Sequence, residues 1–205
     1  MLKIEAFTLG LMIEANCYLV SEDGHALVID PGSKGRSVQK RIEEEGLSVD
    51  AIVLTHGHFD HCAGADAFVE TYHCPLYIHP LDAPMLKDPA LNFSAGLAPL
   101  VVKSTARMLK QGRQQIGHFE VEMIDAPGHS EGSCLLLMKD HVMFCGDVLF
   151  QGSISAIGGF IKQNGLINTA NNMTVDQISQ SVKSFVNSPQ SKDMGLVSVQ
   201  AFRLY

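Results

Sequence analysis

Between Thr55 and Cys62 the chain reads Thr-His-Gly-His-Phe-Asp-His-Cys, which places three imidazoles and one carboxylate within six residues, His56 to His61. Such donors suit a borderline cation, zinc first and iron or manganese next, whereas calcium or magnesium would draw mainly on oxygen. A solitary histidine says little about metal, but this density does. The apolar run Ile52-Val53-Leu54 before the cluster predicts a buried strand ending at Thr55. In extended backbone His56 and His58 leave the same side of the chain, and Gly57 is expected to let the backbone pass close to whatever they hold. Asp60 and His61 open a predicted helix, Ala63 to Tyr72, whose different period turns them toward a second point. One loop could then serve two ions.

Three more residues stand at strand ends. His129 follows Pro127-Gly128 after a predicted strand, His118 to Ile124, and curvature at such a turn can aim a ring into a cleft. Asp147 ends the apolar segment Val142 to Cys145, where a carboxylate is costly unless paired or coordinated. Asp30, in Asp30-Pro31-Gly32, reads equally as a turn cap or as a group that orients metal ligands by hydrogen bonding.

The blocks H-x-H-x-D-H, Asp-Pro-Gly, Pro-Gly-His-Ser and Gly-Asp together resemble the metallo-β-lactamase superfamily, and within it the small glyoxalase II-like hydrolases, from Met1 to about Ser153. The resemblance implies an αββα four-layer sandwich of two mixed β-sheets flanked by helices, with the site at one edge. It implies one ion on His56, His58 and His129, a second on Asp60, His61 and Asp147, and Asp147 as the bridge. Water activated between the ions would be the nucleophile, with Asp60 also orienting it or carrying a proton to the leaving group. Thioester hydrolysis fits this scheme, because a thiolate needs little protonation to leave. The alternatives from the same superfamily are a mononuclear iron enzyme acting on glutathione persulfide, a nuclease, and a metal-binding protein with impaired catalysis.

The elements that must position these residues are legible in outline. Strands are predicted at Lys3 to Leu9, Asn16 to Ser21 and Ala26 to Ile29, with a turn at Glu22-Asp23-Gly24. A helix is predicted over Ser37 to Glu45, with Val38 and Ile42 inward and Gly46 closing it. Further strands are expected at Pro75 to Ile78, Cys134 to Met138 and Val142 to Cys145, and a helical turn at Ala83 to Leu86. Residues 88–105 lack a pattern, and Asn92-Phe93-Ser94-Ala95-Gly96 reads as a loop that could line a pocket. The tail departs from the family: no histidine follows His141, so the Gly-His-Gly turn expected to complete the second metal site is absent. A capped helix from Thr174, with Val175, Ile178, Val182 and Phe185 on one face, and a strand Leu196 to Val199 are still predicted. Either this tail has diverged or it is read in a shifted frame.

Composition bounds the rest. The 205 residues suffice for a single domain, 1–205, with 151–205 its atypical part. A net charge of −7 argues against a broad basic surface for nucleic acid or anionic membrane and favours a small-molecule substrate. The five cysteines are scattered and lack a C-x-x-C pair, which points to reduced thiols. With no apolar run of membrane-spanning length and no secretory-type apolar stretch near Met1, a cytoplasmic location is expected.

Overall fold

The computed structural model of the chain describes residues 1–10, 13–139, 142–150 and 153–154. The alternation of apolar side chains builds the larger sheet first. Strands β1 (Lys3–Leu9), β2 (Ala15–Glu22) and β3 (His25–Ile29) form an antiparallel meander, in which Tyr18 sits opposite Ile29. After β3 the chain crosses through helix α1 (Arg36–Glu45) into β4 (Ser48–Val53), which lies parallel to β3. Two short helices, α2 (Phe59–Cys62) and α3 (Ala65–Tyr72), carry it to β5 (Leu76–Ile78). A 3₁₀ turn at Ala83–Lys87 and a long loop then reach β6 (Ala106–Met108), again parallel. The sheet order is β1-β2-β3-β4-β5-β6.

The smaller sheet contains β7 (Gly112–Ile116), β8 (Phe119–Asp125), β9 (Cys134–Met138) and β10 (Val142–Phe144) in the order β10-β9-β8-β7. Its described strands pair antiparallel throughout, so only the larger sheet is mixed. A short pair, β11 (Leu149–Phe150) and β12 (Ser153–Ile154), follows.

Successive side chains on β2, β3 and β4 divide between two cores, as period 2 requires. Cys17, Leu19, Ala26, Val28 and Ile52 pack with Val38 and Ile42 of α1 and Phe68 of α3. Their neighbours Tyr18, Val20, Leu27, Ile29, Ala51 and Val53 pack instead against Val121, Met123, Leu136 and Phe144 of the smaller sheet. Strands covered on both faces must be apolar in runs, which is why β3 reads Ala-Leu-Val-Ile after His25 and β4 ends in Ala-Ile-Val. Among the described residues the helices cover the outer face of the larger sheet.

Several boundaries differ from expectation. Strand β4 ends at Val53, two residues before Thr55, because the chain there turns inward to bring Thr55 and the histidines toward Asp30. The motif helix is broken in two: the Gly64 amide donates to the Pro31 carbonyl at 2.7 Å, diverting the backbone between α2 and α3. Strands β6 and β7 were not expected; β7, Gly-Arg-Gln-Gln-Ile, carries polar side chains and owes its place to pairing with β8. The tail helix and strand expected from Thr174 and Leu196 lie outside the described residues.

Phe144 is fully buried between the sheets, its ring 5.1 Å from that of Tyr18. Replacing it with alanine should cost about 3–5 kcal/mol of stability in chemical denaturation; a loss below about 1 kcal/mol would show that it does not brace the two sheets.

Candidate metal centre

All six expected ligand residues converge where the C-terminal ends of β3 and β4 meet the loops after β8 and β10, the end of an α/β sheet at which sites usually form. The organising group is Asp30, which is 1% exposed. Its Oδ1 accepts the Thr55 backbone N–H at 2.8 Å, and its Oδ2 accepts the Thr55 hydroxyl at 2.6 Å and faces His61 Nδ1 at 3.0 Å. Because the hydroxyl proton of Thr55 is committed to Asp30, its oxygen is left to accept from His56 Nδ1, 3.1 Å away. Nδ1 of each imidazole is thus engaged by Thr55 or Asp30, which leaves Nε2 of each turned toward the site. Asp30 therefore orients the ligands in addition to ending its strand.

Two clusters result. In the first, one nitrogen from each of His56, His58 and His129 lies within 4.8 Å of the others, and His58 Nδ1 approaches His129 Nε2 to 2.7 Å. The rings of His56 and His58 stand 4.7 Å apart and nearly perpendicular. In the second, His61 Nε2 lies 3.2 Å from Asp147 Oδ1 and 3.6 Å from Asp60 Oδ2. Asp147 faces both clusters, its Oδ2 being 3.4 Å from His129 Nε2. The buried atoms His56 Nε2, His61 Nε2 and Asp147 Oδ1 have no hydrogen-bond partner, the 3.2 Å approach of the last two being unaligned. Buried polar atoms are nearly always satisfied, so three unpaired ones aimed at one place are the pattern expected where cations bind.

Sequence reasoning missed Asp82, which is completely buried. Its Oδ2 accepts the Gly57 N–H at 2.9 Å and the Ser130 hydroxyl at 2.6 Å, while its Oδ1 accepts the Gly132 N–H at 2.7 Å. One carboxylate thus ties the His56–His58 loop to the loop that carries His129. The role expected for Gly57 is corrected accordingly. A Cβ at this position would lie 2.7 Å from Met85 Cβ and 3.0 Å from the Asp82 carbonyl, so the glycine makes room for the 3₁₀ turn and not for an ion. Gly146 has an equally specific reason: at φ +48° it passes so close to Thr55 that a Cβ would stand 2.3 Å from Oγ1, and this approach delivers Asp147. Cys62 is buried, directs its thiol at the Gly57 carbonyl 3.7 Å away, and has its pKa pushed far up by burial. It belongs to neither cluster.

Electrostatics separate the clusters. Burial holds His56 and His129 below the ordinary imidazole range and pushes His58 down to about 3, with neighbouring imidazoles adding to the effect on His56 and His58. His61 moves the other way, because Asp30 and Asp147 outweigh the burial that opposes its charge. Burial raises Asp60, while for Asp147 the nearby imidazoles outweigh burial and lower it. Without metal, the first cluster is a set of neutral donors and the second holds a proton on His61.

Residues 13–177 match the family model described as the metallo-beta-lactamase superfamily. The chain belongs to this superfamily. It is 39% identical over 154 residues to a "Probable metallo-hydrolase YqgX" of Bacillus subtilis, covering 72% of this chain and 73% of that one. Among solved structures it is similar to the BLEG-1 B3 metallo-beta-lactamase, with a TM-score of 0.71 and 32% identity over 80% of this chain and 86% of that one. TTHA1623, solved in a di-iron-bound form, gives 0.66 and 28% over 90% and 87%. A more distant relative is a hydroxyacylglutathione hydrolase of Photorhabdus laumondii, 29% identical over 134 residues, or 65% of this chain and 46% of that protein. The fold is that of the superfamily, whose members use divalent metals.

Two outcomes follow from the proton inventory. Groups with lowered pKa stay neutral, and able to donate a lone pair, at any pH above that pKa; a competition titration with zinc should therefore find affinity at the first cluster falling less steeply below pH 6.5 than affinity at the second. Binding at the second should weaken as pH falls, since the ion must displace the proton on His61. An equal loss at both clusters below pH 6.5 would contradict this assignment. Asp82→Ala should weaken zinc binding and cost about 2–4 kcal/mol of stability, because three donors lose a charged acceptor; unchanged affinity in a stable variant would mean that the two loops hold their places without it.

Proposed function

We propose that the chain is a metal-dependent hydrolase of thioesters or related small acyl compounds. The observation that carries this reading is the pair of adjoining clusters, each with unpaired buried donors, joined through the Asp147 carboxylate. His56, His58 and His129 would hold one divalent ion, and Asp60, His61 and Asp147 a second. Zinc fits the nitrogen-rich first cluster best. When bound, such ions would supply a coordinated water with its pKa lowered toward about 7 and a Lewis acid for the substrate carbonyl.

The side chains supply the rest. Asp30 and Thr55 hold His56 and His61 in the orientation that presents Nε2, and Asp82 keeps the two histidine loops at a fixed separation. Asp60, nearly buried and placed beside His61 and Asp147, would orient the activated water and carry a proton to the leaving group. The superfamily match and the named metallo-hydrolase relative support hydrolysis, while the distant hydroxyacylglutathione hydrolase supports thioesters more narrowly. The chain spans less than half of that hydrolase's length, so glutathione recognition is not part of the proposal. A small neutral substrate, rather than nucleic acid or membrane, agrees with the net charge of −7.

A second reading, an iron enzyme of the persulfide dioxygenase type, is favoured by the di-iron-bound neighbour and by the absence of any histidine after His141 to complete the second cluster. Metal analysis and a panel of thioester, lactone and β-lactam substrates decide between them. About two zinc ions per chain with thioester turnover is the expected result; a single iron, with oxygen consumed on persulfide, establishes the second reading instead. His58→Ala and His129→Ala should each lose most of the metal at the first cluster, and full occupancy in either would remove that residue from the ligand set.

A further inference from the structure

Among the described residues, Phe93 is the one aromatic ring in contact with the site that no ligand or orienting role explains. Its ring centroid lies 4.7 Å from that of His58 at 38°, yet the residue is 65% exposed while His58 is 6% exposed. Its backbone has φ +64°, a conformation that non-glycine residues adopt rarely and at a cost. If only the turn mattered, glycine or asparagine would serve. If only packing mattered, the ring would be buried.

The surroundings hold this conformation firmly. Asn92 and Ser94, on either side, are completely buried. The Asn92 side-chain amide donates to the carbonyls of Met85 at 2.9 Å and Leu100 at 3.1 Å, and its carbonyl oxygen accepts the Ser94 hydroxyl at 2.6 Å. The Asn92 backbone carbonyl accepts the Phe59 N–H at 3.1 Å, fastening the loop directly to the metal motif. Farther along, Lys87 Nζ donates to the Val102 carbonyl at 2.7 Å, and Asp66 accepts the backbone N–H groups of Lys103 and Ser104. A braced loop thus spends backbone strain to present an exposed aromatic ring beside a candidate ligand. Between Asp88 and Val102 there is no lysine or arginine, so this wall of the site offers no cation to an anionic substrate.

We propose that Phe93 is a specificity determinant: its exposed face is a platform for the apolar acyl group of the substrate, so that the preferred substrates are aryl- or alkyl-acyl compounds. This rests on the hydrolase reading, but it can be tested apart from turnover with two hydroxamates that share a metal-binding head and differ in the acyl group. Zinc-loaded protein is titrated calorimetrically with benzohydroxamic acid and with acetohydroxamic acid. The wild-type chain should prefer the benzo compound by about threefold to tenfold, the range of one aromatic contact.

Phe93→Ala should abolish that preference while leaving acetohydroxamate affinity and zinc content unchanged, and Phe93→Leu should keep part of it. An equal loss for both probes would mean that the ring only props His58, and an unchanged preference, or no binding of benzohydroxamate by the wild type, would also overturn the proposal. If Phe93→Ala converts an oligomer to monomers in sedimentation, the exposed face belongs to a second copy of the chain and the proposal fails. Intact hydroxamate discrimination without thioester hydrolysis would overturn the function reading alone.

Discussion

The structure depends on a buried carboxylate, Asp30, and on what must surround it. A carboxylate almost wholly removed from water is tolerable only when its oxygens are saturated by donors. Thr55 supplies two of those donors and His61 a third, so the requirement that Asp30 be satisfied sets the path of the chain after β4. The position is itself strained, at φ +52°. That conformation folds the Asp-Pro-Gly turn back over α2 and α3, where the Pro31 carbonyl meets the Gly64 amide. Strain and buried charge together fix the direction in which two imidazoles point.

A second carboxylate works at longer range. Asp82 comes from the segment after β5, yet it accepts hydrogen bonds from the motif loop and from the loop after β8. The first cluster draws His56 and His58 from the larger sheet's side and His129 from the smaller sheet's side, so its dimensions depend on how the sheets are spaced. Asp82 sets that spacing locally, and Phe144 and its neighbours set it in the core.

Much of the site was legible because its donors are concentrated in six residues and the remainder sit in turns marked by proline and glycine. The strands that carry them were legible from uninterrupted β-branched and apolar runs. What could not be read were relations that exist only after folding. Asp82, in Pro-Leu-Asp-Ala-Pro, looks like any residue that opens a helical turn, and its three partners are 25 to 50 positions distant. Phe93 was placed in a pocket-lining loop, but nothing local announces a positive φ for phenylalanine. Gly57 was read as leaving space for an ion because the ligands flank it, whereas the space belongs to Met85. Strand β7 escaped because its polar composition hides a pairing that β8 imposes.

The distribution of donors between the sheets also bears on how the chain holds together. His58 and His129 are 71 positions apart, and no disulfide joins any of the five cysteines. An ion shared by these two side chains would be a reversible cross-link, closing a long loop in the way a sulfur bridge does and withdrawing chain entropy from the unfolded state. In this chain the same atoms that could perform chemistry would also fasten one sheet to the other, so removal of metal would loosen the sandwich along the edge that carries both clusters.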